Sequence, residues 1–251
     1  MRNIKLTIEY DGTRFYGWQK QPNVITVQEE IEKAINKITG EEIKIIGAGR
    51  TDRGVHAKAQ VANFNTASRI PADRIKFALN SQLPEDISIK ESEEVGEDFH
   101  SRYSAVGKEY RYLVYNNKTR SPLLRNYAYY VPYKLDVENI KAASKYFIDT
   151  YDFKGFMSSG SSVKDTVRTI YDFSVLKKDS TIEFRIKGNG FLYNMVRIIV
   201  GTLIEVGNNK IKVEDIPNII KSKDRSNAGH TALPQGLYLY RVYYNNSEIR
   251  K

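Results

Sequence analysis

Residues 47 to 57 read GAGRTDRGVHA and set an aspartate, Asp52, between two arginines, Arg50 and Arg53, in a loop carrying Gly49 and Gly54. Two readings of that aspartate stand side by side. Asp is a preferred turn residue, because its carboxylate bonds nearby backbone N–H groups while glycines supply backbone freedom. A carboxylate is also a reactive group. It is ionised at neutral pH, nucleophilic when poorly solvated and a tolerable leaving group, as in glycosidases that pass through covalent intermediates.

Other chemistries are excluded by composition. The chain has no cysteine, which removes disulfides, thiolate nucleophiles, cysteine-rich zinc sites and iron–sulfur clusters. Its three histidines, His56, His100 and His230, are isolated from one another in sequence, so a multi-histidine metal centre is not expected. The expected chemistry needs no metal.

Charge points to the partner. Lys and Arg number 39 against 30 Asp and Glu, a net charge of +9. Such a balance suits a polyanion, because neutralising phosphates releases counterions and supplies affinity independent of base sequence. Tyrosines, 18 in all, are interleaved with basic residues, as in KEYRYLVYNNKTR from 108 to 120. Bases stack on such rings while cations hold phosphates, a pairing suited to RNA. The competing reading is a strand whose alternate tyrosines are core.

Several elements must position these residues. Ile4, Leu6, Ile8 and Tyr10 alternate with Lys5, Thr7 and Glu9, as in a half-buried strand. Thr26 and Glu29 form a capping-box pattern; Val27, Ile31, Ala34, Ile35 and Ile38 make an apolar stripe, and Gly40 stops the helix. A short strand at 42 to 46, the quoted loop, a strand through QVANFNT, a helix opened by Pro71 and a strand at DISIK complete a βαββαβ order. After a long strand at about 106 to 116, the second half repeats the theme loosely. YAYYVPY is read as a strand, and a helix starts near Asp136. TVRTIYDFSVL and TIEFRIK form a hairpin, MVRIIVGTLIEVG a helix, 213 to 222 a shorter helix and LYLYRVYY the last strand. The expected fold is α+β: two ferredoxin-like halves, 1 to 105 and 106 to 251, with mainly antiparallel sheets and an RNA-binding cleft between them.

With 251 residues the chain can hold one large or two modest domains. No run approaches the roughly 18 apolar residues of a membrane helix, and the N-terminus enters a strand pattern rather than a signal-peptide core. No membrane partner and a cytoplasmic location are expected.

Five stretches, IEYDGTRFYGWQKQPN (8 to 23), GAGRTDRGVHA (47 to 57), FHSRYSAVGKEYRYLVYN (99 to 116), GFLYNMVRIIVGTLIEVG (190 to 207) and GLYL (236 to 239), resemble the successive signature blocks of the tRNA pseudouridine synthase A family. They stand in the family's order and span nearly the whole chain. The resemblance implies isomerisation of uridines at positions 38, 39 and 40 of the tRNA anticodon stem-loop, by a homodimer that uses neither cofactor nor metal.

It also implies site residues. Asp52 matches the nucleophile. Whether such a carboxylate attacks the anomeric carbon, assists elimination to a glycal or adds to C6 of the ring stays open. Arg197 matches the arginine that keeps the carboxylate ionised, since a nearby cation lowers a carboxyl pKa and phosphates raise it. Its neighbours Met195, Val196, Ile198 and Ile199 suggest a charge turned inward, for which an acidic partner is expected. Arg50 matches the arginine that takes the place of the flipped nucleotide, Tyr110 the tyrosine that packs on the uracil, and Leu237 an apolar residue on the other side of the base. Tyr112 reads more as core. Arg14, Trp18 and Gln19 are expected near the RNA, with packing an alternative for Trp18; Arg102 and Lys108 are expected phosphate contacts. His56 and His100 recur in the family blocks without an assigned catalytic role.

Two positions depart from the pattern. Arg53 follows the nucleophile where the family often has a small residue, adding a cation that either strengthens phosphate contact or faces solvent. HTALPQ precedes GLYL where an Ala-Pro pattern is usual. Two other classes fit these residues less well. A non-catalytic RNA chaperone has no need of an anion facing phosphates, and a metal-dependent nuclease needs carboxylates clustered around Asp52, which the sequence does not show.

Overall fold

In the computed structural model, which describes residues 1–160 and 163–249, the first strand, β1 (Arg2–Tyr10), follows its alternation: Ile4, Leu6 and Ile8 are fully buried. On the other face Glu9 pairs with Lys58 and Lys90. Helix α1 (Val27–Thr39) is bounded as its caps require, Thr26 Oγ1 accepting the Glu29 N–H and Gly40 adopting φ 74°. Then come β2 (Ile46–Gly47), β3 (His56–Thr66), α2 (Ala72–Asn80) and β4 (Ile87–Val95). The strands lie in the order β4-β1-β3 with β2 on β3, and every pair among these four is antiparallel. That is the ferredoxin-like arrangement expected of a βαββαβ chain.

The strand expected at 42 to 46 is confined to Ile46 and Gly47. The Ile45 N–H donates instead to Glu32, a carboxylate on α1 that also accepts from Gln28. A side chain there supplies the acceptor a ladder would have given.

The second unit opens with β5 (Gly107–Asn116), joined in parallel by the three residues of β6 (Tyr129–Val131). Asp136 caps α3 (Val137–Ser144), accepting the Glu138 and Asn139 N–H groups. The helix ends at Ser144, where residues 145 to 147 tighten into a 3₁₀ turn. Strands β7 (Asp149–Asp152), β8 (Val167–Lys178) and β9 (Thr181–Gly188) extend the antiparallel sheet in the order β5-β9-β8-β7. β7 carries no alternating apolar pattern and was not legible in the sequence.

Helix α4 (Met195–Gly207) is apolar on nearly every side, and only Arg197 and Glu205 escape full burial. Helix α5 (Ile216–Ser222) and strand β10 (Leu237–Tyr243) follow. The chain divides into Met1–Val106 with Tyr238–Glu248, and Gly107–Leu237 with Ile249. The sequence suggests a single cut near residue 105. In the structure the stretch from Tyr238 groups with the first unit, because β10 pairs in parallel with β3, Tyr238 opposite His56 and Leu239 opposite Ala57.

Candidate active site

In the first unit the Asp52 loop is pinned on both sides of each exposed residue. The Ala48 N–H donates to Val61 O at 2.7 Å, and Gln60 Nε2, fully buried on β3, donates to Gly49 O at 2.8 Å. The buried Thr51 hydroxyl shares a 2.7 Å bond with the Tyr10 hydroxyl, and Thr51 O accepts the Trp18 N–H. Burial pushes the Tyr10 phenol up, against the opposing bonds from Thr51 and Gln60, so the ring stays protonated. The Gly54 N–H donates to Phe15 O, and the Val55 N–H closes a turn on Asp52 O. Between these anchors Arg50 and Arg53 are exposed and Asp52 is half-buried.

A second signature segment, residues 11 to 18, forms the back of this loop. A Cβ on Gly17, whose φ is +90°, would stand 2.5 Å from Thr51 O, and one on Gly12 would stand 2.0 Å from Val55 O. Backbone meets backbone at both points, which requires glycine. His56 Nδ1 accepts the Gly12 N–H at 3.0 Å, and its ring stacks on Tyr238 at 4.8 Å. The same nitrogen lies 3.2 Å from Asp11 Oδ1, a pairing that needs a proton on Nδ1 and so competes with the Gly12 bond.

Trp18 is buried against Gly47 and tilts onto Tyr10 at 6.1 Å, so it is core. Arg14 forms a two-pronged pair with Asp86, and Gln19 is exposed. His100 holds its turn by accepting the Arg102 and Tyr103 N–H groups on Nδ1. Arg102 is exposed over Tyr103, while Lys108 is half-buried.

In the second unit Tyr110 lies on β5 opposite Ile186, 8% exposed, with its ring edge-on to Phe191 at 5.0 Å and 81°. Tyr112, two residues on, is fully buried and donates to Leu233 O at 2.6 Å. Burial pushes its phenol up, partly offset by the Arg197 charge. Tyr112 also supports the approach to Leu237, because Gly236 lies so close to its ring that a Cβ would meet it at 2.7 Å. Leu237 opens β10 at 6% exposure.

Arg197 Nε donates to Ala232 O at 2.8 Å and Nη1 to Asn194 Oδ1 at 2.6 Å. The acceptors of these two bonds are carbonyl oxygens. Arg197 O in turn accepts the Ala232 N–H. Residues 228 to 232 run along α4 through this contact, through Gly229 N–H to Thr202 and through the His230 N–H and ring to Glu205. Gly201 permits the approach, since a Cβ there would overlap His230 O. Asn194, the left-handed residue at φ 62° before α4, orients Arg197 and was missed in the sequence; an Asn three residues ahead of a lone Arg in an apolar helix is the signal that marks it.

A family model described as tRNA pseudouridine synthase matches residues 6–104 and 143–245. The chain belongs to the tRNA pseudouridine synthase family. It is 59% identical to tRNA pseudouridine synthase A of Acetivibrio thermocellus and 58% identical to that of Caldicellulosiruptor bescii, in each case over 97% of this chain and 100% of the relative. The relative from Clostridium perfringens, tRNA pseudouridine synthase A 2, is 54% identical over the same shares. As a pseudouridine synthase the chain is an isomerase, and its α+β fold with mainly antiparallel strands agrees with that expected from sequence.

Among the described residues of this pseudouridine synthase no group of three or more His, Cys, Asp and Glu side chains could hold a metal ion. No helix among them is long and apolar enough to cross a membrane.

Proposed function

We propose that the chain converts uridine to pseudouridine at positions 38, 39 and 40 of the tRNA anticodon stem-loop, with Asp52 as nucleophile. The reaction breaks the N1–C1′ bond, forms C5–C1′, and moves the C5 proton out as N1 takes one up. Every atom and electron is conserved, so the reaction consumes no oxidant, reductant or co-substrate. A carboxylate can hold the open path by bonding C1′ or C6, or by assisting elimination to a glycal, and each route uses the same residue.

The target base leaves the stack before its sugar is reached. In this reading Arg50 takes the vacated place, where its guanidinium can stack and donate to phosphate together. Tyr110 packs on the uracil, Leu237 covers its other side, and Arg197 supplies the cation that keeps Asp52 ionised. The enzyme acts as a homodimer with one tRNA touching both subunits.

The observation that carries the proposal is the pinning of the Asp52 loop at Gly49, Thr51 and Gly54. These bonds fix the backbone on each side of Asp52, and a carboxylate held on a fixed backbone is aimed before the substrate arrives. Asp52→Asn should keep tRNA binding and abolish turnover; pseudouridine formed at the normal rate by that variant would overturn the mechanism. Binding should also weaken steeply between about 50 and 200 mM salt if several phosphates are contacted.

A further inference from the structure

We propose that Tyr16 and Arg53, with the hollow beside them between Lys20 and Ile25, form a docking site for one unpaired ribonucleotide that flanks the uridine being isomerised. The proposal rests on the pseudouridine synthase reading and adds a contact made by this chain's own departure at position 53.

The Arg53 guanidinium lies 4.1 Å from the centroid of the Tyr16 ring. Both side chains are exposed, Tyr16 by 41%. A guanidinium stacked face-on donates in its own plane, away from the ring, which suits a phosphate at the edge of the pair. A solvated tyrosine gains little from such a stack by itself, and a base laid on the ring would desolvate and strengthen it.

The backbone of Tyr16 is fixed toward the hollow. Its N–H donates to Ile25 O at 2.9 Å, and its carbonyl accepts Gln21 Nε2 at 3.2 Å. Gln21 and Ile25 both line the hollow, with Lys20 and Asn23 among their neighbours. Its volume is about 460 Å³, within the range of roughly 300–1,000 Å³ for sites that take small ligands. Ile25, 47% exposed, offers an apolar face, Lys20 a cation, and Gln21 and Asn23 amide oxygens that can accept from a base edge.

Position selects the ligand. Arg53 adjoins Asp52, and Gly17, the neighbour of Tyr16, lies against the Thr51 and Asp52 backbone, so whatever docks here sits beside the reacting nucleoside. Stacking on an aromatic ring needs a base out of its duplex, which a loop nucleotide supplies and a stem nucleotide does not.

The test uses an unmodified tRNA transcript carrying a target uridine and a set of transcripts with a single abasic residue at each neighbouring loop position. Tyr16→Ala should raise KM for the intact transcript about tenfold with little change in kcat. Arg53→Lys should raise it less than Arg53→Ala, since charge without the planar stack is retained. One abasic transcript should show the same loss with the unaltered enzyme and no additional loss with Tyr16→Ala. Unchanged KM in Tyr16→Ala and Arg53→Ala would overturn the proposal. So would full additivity on every abasic transcript, or a loss confined to kcat with a lowered melting temperature, which is the behaviour of a simple loop brace. An unaltered enzyme that forms no pseudouridine strikes the proposed function instead.

Discussion

Gly17 stands so close to Thr51 that a methyl group on its Cα would lie 2.5 Å from the Thr51 carbonyl oxygen, and its φ of +90° is one that side chains resist. Gly17→Ala therefore has to move the backbone that carries Asp52. Left-handed strain alone costs on the order of 1–3 kcal/mol, and the overlap adds to it. Activity should fall at least about tenfold, with a drop in melting temperature. Gly40, at φ 74° with open space around it, provides the comparison. Gly40→Ala should lower stability without lowering kcat, and equal kcat losses in the two variants would show that the Gly17 contact does not position the loop.

Tyr10→Phe tests the floor of the same loop. The change keeps the buried ring and removes the hydroxyl bonded to Thr51. Leaving the Thr51 hydroxyl buried without that partner should cost about 1–3 kcal/mol, seen as a fall of several degrees in melting temperature. Turnover should fall more than tRNA affinity, because the cations proposed to bind phosphate are untouched. An affinity loss with unchanged kcat would contradict this assignment.

Arg197→Lys separates charge from shape. Arg197 reaches Ala232 O through Nε and Asn194 Oδ1 through Nη1, and the two bonds use different nitrogens of a rigid fork. An ammonium on a flexible stem does not reproduce that geometry. Turnover should fall about tenfold or more even though the positive charge is kept. Asn194→Ala should show a smaller loss in the same direction. Normal turnover in Arg197→Lys would mean that charge alone suffices.

Acid should loosen the strap along α4. Burial pushes the Glu205 carboxyl up, but bonds from the His230 ring and backbone N–H outweigh it and leave the pKa below its ordinary value. A carboxyl depressed in the folded state adds stability above its unfolded pKa, and that contribution disappears as pH falls through the folded value. The loss should begin below about pH 4.3. Glu205→Gln should lower the melting temperature at neutral pH and flatten its decline in acid; a variant whose melting temperature runs parallel to the unaltered protein at every pH would refute the linkage.

Much of the local structure is legible in the sequence because its causes are local. Thr26 and Gly40 bound α1 through bonds within one turn of the helix, and the alternation of Ile4, Leu6 and Ile8 identifies the buried face of β1. Asp52 and Arg197 stand out in the sequence alone as charges in unusual company, one among cations and one among apolar residues. Tertiary structure decided what surrounds them. Trp18 became core because Gly47 lies under its ring, and Arg14 became a partner of Asp86, a residue far along the chain. β2 shrank because the Glu32 carboxylate captured the Ile45 N–H. Residues 228 to 232 lie on α4 because Gly201 has no side chain to hold them off. Periodicity and capping act over a few residues, whereas close approach and side-chain bonding depend on segments that only folding brings together.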